Sequence, residues 1–109
     1  MTEESAIIRH AALFRLHHAA GSAEESDFLA ALATLGSIPG VHDFQISRET
    51  SPKNDFAFAA SMTFADPAAY AAYNDHPLHV AFVRDRWVPE VAAFMEHDTV
   101  ALDPDQLRA

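Results

Sequence analysis

Ile7-Ile8-Arg9-His10-Ala11-Ala12-Leu13-Phe14-Arg15-Leu16-His17 runs without a glycine, a proline or any other turn residue. One parity collects Ile8, His10, Ala12, Phe14 and Leu16; the other collects Ile7, Arg9, Ala11, Leu13 and Arg15. Side chains alternate across a strand, so each parity is one face, and both faces here are largely apolar. A strand of that kind belongs in the interior of a sheet. Ala19-Ala20-Gly21 breaks it, and Ser22-Ala23-Glu24-Glu25 follows with the Ser-x-x-Glu spacing of a capping box. Phe28, Leu29, Leu32 and Leu35 then recur at helical spacing. They predict an amphipathic helix over residues 23–36, stopped by Gly36 and Pro39-Gly40.

Further along, Val41 to Glu49 alternates more cleanly, as an edge strand with one wetter face does. Thr50-Ser51-Pro52-Lys53-Asn54 is turn chemistry. Phe56 to Phe64 is a third strand that puts Phe56, Phe58, Ala60, Met62 and Phe64 on one face. Asp66-Pro67 opens a helix that runs to about Tyr73, and His76-Pro77 interrupts it, because proline disfavours helix in the residue before it. A second segment, Leu78 to Trp87, is expected to end at Pro89, before a last strand from Val91 to Leu102. The order β-α-β-β-α-β is the split βαβ plan: an α+β, ferredoxin-like fold with a four-stranded antiparallel sheet, the first and third strands central. Helices cover only one face of such a sheet. The other, carrying Phe14, Leu16, Phe56, Phe58 and Met62 or their opposite-parity neighbours, calls for a cover. A second copy of the same sheet supplies it, so a homodimer is expected.

Composition narrows the function. The 109 residues are read as one domain, with a core over about residues 7–102 and a polar tail over 103–109. Half of them are hydrophobic and 21% charged, which argues against disorder. The absence of cysteine excludes disulfides, a thiol nucleophile and any Cys-ligated metal. Sixteen acidic against seven basic residues give a net charge of −9, which repels nucleic-acid phosphates and anionic membranes. Met1-Thr2-Glu3-Glu4-Ser5 lacks the basic flank and apolar run of a signal peptide. No apolar run approaches the roughly twenty residues of a membrane span. A soluble, cytoplasmic protein is expected, with neither nucleic acid nor membrane as partner.

Tyr73-Asn74-Asp75-His76-Pro77-Leu78-His79 is the densest polar stretch, and it lies at the break between the two helical segments. A kink there aims several side chains one way instead of around a helix cylinder. An imidazole exchanges protons near neutral pH, so His79 is a candidate base. Tyr73 offers an O–H to a developing oxyanion, and His76 lies between them. The plainer alternative is that Tyr73 packs, Pro77 shapes the kink and the histidines cap backbone groups. His10 lies among apolar neighbours and reads as a core residue unless His79 points into the same space. The cavity between the second helical region and the central strands is then expected to be lined in part by Phe14, Phe58 and Val83. His76-x-x-His79 lacks the adjacent Glu of HExxH, and Pro77 intervenes, so no metal is expected. No glycine-rich phosphate loop or Gly-x-Ser-x-Gly elbow occurs, and no cofactor is expected. His17, His18, His42 and His97 are expected at the surface.

With these residues in place, the chain resembles the stress-responsive A/B barrel family of dimeric α/β barrel domains. The likeness covers about residues 7–99. It rests on Ile8-Arg9-His10, Ile38-Pro39-Gly40-Val41, Phe64-Ala65-Asp66 and Tyr73-Asn74-Asp75-His76-Pro77-Leu78-His79-Val80. The Tyr-x-x-His-Pro-x-His pattern in the last stretch is the most specific part. The resemblance implies a homodimer in which two four-stranded sheets close a barrel. A plant relative, olivetolic acid cyclase, is a cofactor-free polyketide cyclase. Its likeness implies that His79 is a general base on an acidic methylene, that Tyr73 hydrogen-bonds it or the oxyanion, and that His10 is a pocket histidine. Two more polar positions of that cyclase fall on Ala31 and Phe58, implying a more apolar pocket here. The expected function is a small cofactor-independent acid–base enzyme of cyclase, isomerase or lyase type, acting on a small activated carbonyl or phenolic compound. His79 and Tyr73 are its catalytic pair, and His10, His76, Phe14, Phe58 and Val83 surround the substrate. The alternatives are a non-catalytic stress-responsive dimer that binds a small hydrophobic ligand, and a cofactor-free monooxygenase.

Overall fold

Strand β1 (Ile8–Leu16) is hydrogen-bonded on both sides, to β3 (Phe58–Phe64) and to β4 (Val91–Val100), all antiparallel. Strand β2 (His42–Arg48) pairs only with β3, giving the sheet order β2-β3-β1-β4. The first and third strands are central and β2 is an edge. The computed structural model describes residues 7–108, so the readings placed on Met1 to Ser5 and on Ala109 lie outside the described residues.

Helix α1 (Ala23–Ala33) starts where Ser22 accepts a hydrogen bond from the Glu25 N–H at 3.1 Å. The capping box closes only in part, since the Glu25 carboxylate accepts from the Gly21 N–H rather than from Ser22. A tighter turn, Thr34–Ser37, ends the helix, and Gly40 supplies the left-handed conformation (φ 89°) that carries the chain into β2. Helix α2 (Pro67–Asp75) is capped by Asp66, and α3 (Pro77–Phe82) by His76. From α3 the backbone widens into a π-helical turn, Val83–Trp87, and finishes in α4 (Val88–Glu90). Pro89 therefore does not end the helical path before itself. It follows the π-helical turn directly, its fixed φ suits the helical backbone, and the helical path ends one residue later at Glu90. The strands are shorter than alternation predicts, with Ile7, His17, Phe56 and Leu102 outside them. The tail is not featureless: Pro104–Leu107 forms a short helical turn in which Asp103 and Gln106 cap one another.

Helices α1, α2 and α3 pack their buried residues on one face of the sheet. The parity of β1 that carries His10, Ala12 and Phe14 is the buried one, and on β3 it is Phe58, Ala60, Met62 and Phe64. Phe28, Leu32, Leu35 and Phe82 close the core from above. The large apolar residues thus face the helices, which corrects the expectation that Phe14, Phe58 and Met62 could make up the uncovered face. That face carries Ala11, Leu13, Ala59, Ser61, Thr63 and Met95, smaller and more polar. Among the described residues no helix is long and apolar enough to cross a membrane.

Candidate active site

Helix α2 turns Tyr70 and Tyr73, one helical turn apart, toward the sheet. Tyr70 stacks on Phe64 with ring centroids 4.9 Å apart, and Tyr73, only 3% exposed, packs on the same ring at 5.1 Å. The helix then stops at His76, which is extended (ψ 136°), as a residue before proline must be. The His76 ring accepts from the Leu78 N–H at 3.1 Å and so caps α3. It is absorbed by this cap and does not line the cavity described below. The break swings α3 back over α2 and places the His79 ring 4.5 Å from Tyr73. Helical periodicity alone could not bring residues six apart together; the His76-Pro77 kink does.

The His79 Nδ1 lies 3.1 Å from the Asn74 carbonyl oxygen. A carbonyl only accepts, so Nδ1 carries the proton and Nε2 keeps its lone pair. Burial pushes the His79 pKa below its usual 6.5, with His10 adding to the effect while the Asn74 carbonyl and Glu96 oppose it. The Tyr73 hydroxyl is pushed well above the ordinary phenol range, chiefly by burial and further by Glu96. It stays protonated and is a hydrogen-bond donor.

His10, 8% exposed, faces α2 from β1. The β1–β4 register sets it opposite Asp98. Its Nδ1–H donates to an Asp98 carboxylate oxygen at 2.6 Å, and the Tyr70 hydroxyl donates to the same carboxylate at 2.9 Å. Burial, then Asp98, raise the Tyr70 pKa well above the usual range. This Tyr70–Asp98–His10 cluster fixes the ring and leaves its Nε2 for other partners. Sequence reading did not find Tyr70, Asp98 or Glu96. The signal for Tyr70 was its one-turn spacing from Tyr73; the other two depend on register.

These groups meet at a cavity of about 330 Å³ between the sheet and the helices. Its polar end holds His10, Tyr73, Asn74, His79 and Glu96. Its walls are Ala12, Leu32, Leu35, Ala60, Met62 and Val83, with Trp87, Val88 and Phe94 beside the opening. The π-helical turn aims Val83 and Trp87 inward from one stretch of backbone. Phe14 and Phe58 were expected here and are absent from the lining. Phe14 is covered by Phe28 and Trp87, and Phe58 packs against Phe14, so both sit in the core beneath. His17, His42 and His97 are exposed, whereas His18 is partly buried and bonded to Glu90 at 2.7 Å, contrary to its expected place at the surface. Among the described residues no group of three or more His, Asp or Glu is arranged to hold a metal ion.

The split βαβ order, one antiparallel sheet and a cavity beneath a kinked helix define a ferredoxin-like α+β domain. The chain belongs to the stress-responsive A/B barrel family, whose model matches residues 8–101. A family member with a ferredoxin-like fold from Mesorhizobium loti is 56% identical; the match covers 90% of this chain and 99% of that one, with a TM-score of 0.87. A dimeric ferredoxin-like protein from Thermobifida fusca is 22% identical over 93% of this chain and 96% of its own, at TM-score 0.74. A hydroxynitrile lyase from Passiflora edulis is 16% identical over 92% and 97%, at TM-score 0.79. At those identities the last two show the shared fold alone. No curated protein matches the chain.

Proposed function

We propose that the protein is a cofactor-independent acid–base catalyst of cyclase, isomerase or lyase type, acting on a small activated carbonyl or phenolic compound. One observation carries the reading: His10 from β1, and Tyr73 and His79 from either side of the helix break, line one cavity beside apolar walls. His79 is the base. Its Nδ1–H is held by Asn74, its Nε2 takes part in no hydrogen bond among the described residues, and burial keeps it neutral near pH 7. Tyr73 donates its hydroxyl to the oxyanion that develops when the substrate loses a proton. His10, oriented by Asp98, positions the substrate head. The protein acts as a homodimer in the cytoplasm, a second copy covering the sheet face that carries Leu13 and Met95.

The apolar walls favour a second reading, a ligand-binding dimer without turnover. Deuterium exchange separates the two. In D₂O, loss of NMR signals from the α-protons of small ketones and from the ring protons ortho to the hydroxyl of small phenols should be faster with the protein. His79→Ala should slow that exchange roughly a hundredfold, the usual scale for general acid–base catalysis. Exchange at equal rates with the wild type and the variant, for every compound the protein binds, would leave the binding reading standing.

A further inference from the structure

We infer that the cavity selects a neutral or cationic molecule with an apolar body and excludes carboxylates, and that Glu96 imposes this choice. The inference deepens the proposed function by naming the charge class of the ligand. Three observations support it. Among the residues that line the cavity there is no Lys or Arg to meet an anion. Glu96 lies at the polar end, on the helix side of β4 opposite Ala12, two residues from Asp98 on the same face. Asp98 is engaged with His10 and Tyr70, whereas Glu96 takes part in no ion pair among the described residues.

A ligand carboxylate entering the polar end would meet the Glu96 carboxylate and, among the lining residues, no Lys or Arg. Glu96 is exposed, so water and salt weaken its repulsion of an anion but do not remove it. A carbonyl or hydroxyl head instead accepts from the Tyr73 hydroxyl, and a hydroxyl can also donate to the His79 Nε2. Glu96 also reaches the groups that do the work: its field opposes the fall in the His79 pKa and adds to the rise at Tyr73. Unfavourable interactions built against the wrong ligand are a general route to selectivity. Here the apolar walls attract ring-sized bodies of every charge, and Glu96 sorts their heads.

Trp87 is the one tryptophan of the chain and lines the cavity, so its fluorescence reports occupancy directly. The probes are benzylacetone, hydrocinnamate and phenylpropylamine, matched in their apolar part and differing in head charge. They are titrated at about pH 8, above the ordinary histidine range. Benzylacetone and the amine should bind the wild type about tenfold or more tighter than hydrocinnamate, with the gap shrinking at high salt. Glu96→Gln should bring hydrocinnamate to within about threefold of benzylacetone, and Glu96→Lys should reverse the order. Hydrocinnamate binding the wild type as tightly as benzylacetone, or a gap that both variants leave intact, overturns the inference. So does the absence of binding by all three. Turnover is not read, so a failure here leaves the deuterium-exchange result to stand or fall by itself.

Discussion

Replacing Phe14 with alanine asks whether this ring is core or cavity wall. Phe14 is fully buried, and its ring lies 5.7 Å from Phe28, 5.7 Å from Phe58 and 5.1 Å from Trp87, centroid to centroid. Truncating a buried phenylalanine costs about 3–5 kcal/mol, the spread reflecting how far the surroundings collapse. Collapse is limited here, because Phe28 is held by Phe82 and Trp87, and Trp87 by Phe94. The upper half of that range is expected. A domain of this size loses about 4 °C or more of melting temperature per kcal/mol, so a fall of at least about 16 °C follows. Urea and thermal unfolding at one fixed protein concentration measure it, since association would otherwise shift the midpoint. A loss below about 1 kcal/mol, together with weaker binding of benzylacetone, would refute the reasoning and return Phe14 to the cavity wall.

The burial of His79 has a pH consequence. Its folded pKa lies below the unfolded value, so the fold favours the neutral ring. That stability is complete above about pH 6.5 and is lost as the pH falls through the folded value. His79→Gln should flatten the acid limb of the urea midpoint, and identical limbs in both proteins would contradict the assignment. Asp66 accepts from the Ala69 N–H at 2.8 Å, so Asp66→Ala should cost about 1 kcal/mol while Asp66→Asn, which keeps the cap, costs less. Equal losses by urea denaturation would show that the cap is not what Asp66 supplies.

The fold was legible because its signals are local. The apolar parities of β1 and β3, the Ser22 and Asp66 caps and the His76-Pro77 break each act within a few residues. The same locality made the pairing of Tyr73 with His79 readable, since one kink sets both rings. Asp98 was not readable: it lies 88 residues from His10, and only the closing of β4 on β1 in one register sets them opposite. Glu96 follows from the same register, two residues away on the same face. Parity also misplaced Phe14 and Phe58. It tells which face a side chain takes but not whether another ring covers it, and Phe28 and Trp87 do so for Phe14. Pro89 shifted the end by little: the helical path closes at Glu90, one residue beyond the proline, whose fixed φ suits that last turn.

The central claim is that His79 is a neutral base whose Nε2 opens into the cavity. Long-range ¹H–¹⁵N correlation NMR of the imidazole rings reads the protonation and tautomer of His79 directly. Near neutral pH the account predicts an uncharged ring with its proton on Nδ1, and an Nε2 resonance that moves when benzylacetone binds. A ring protonated on both nitrogens, or one carrying its single proton on Nε2, would contradict it.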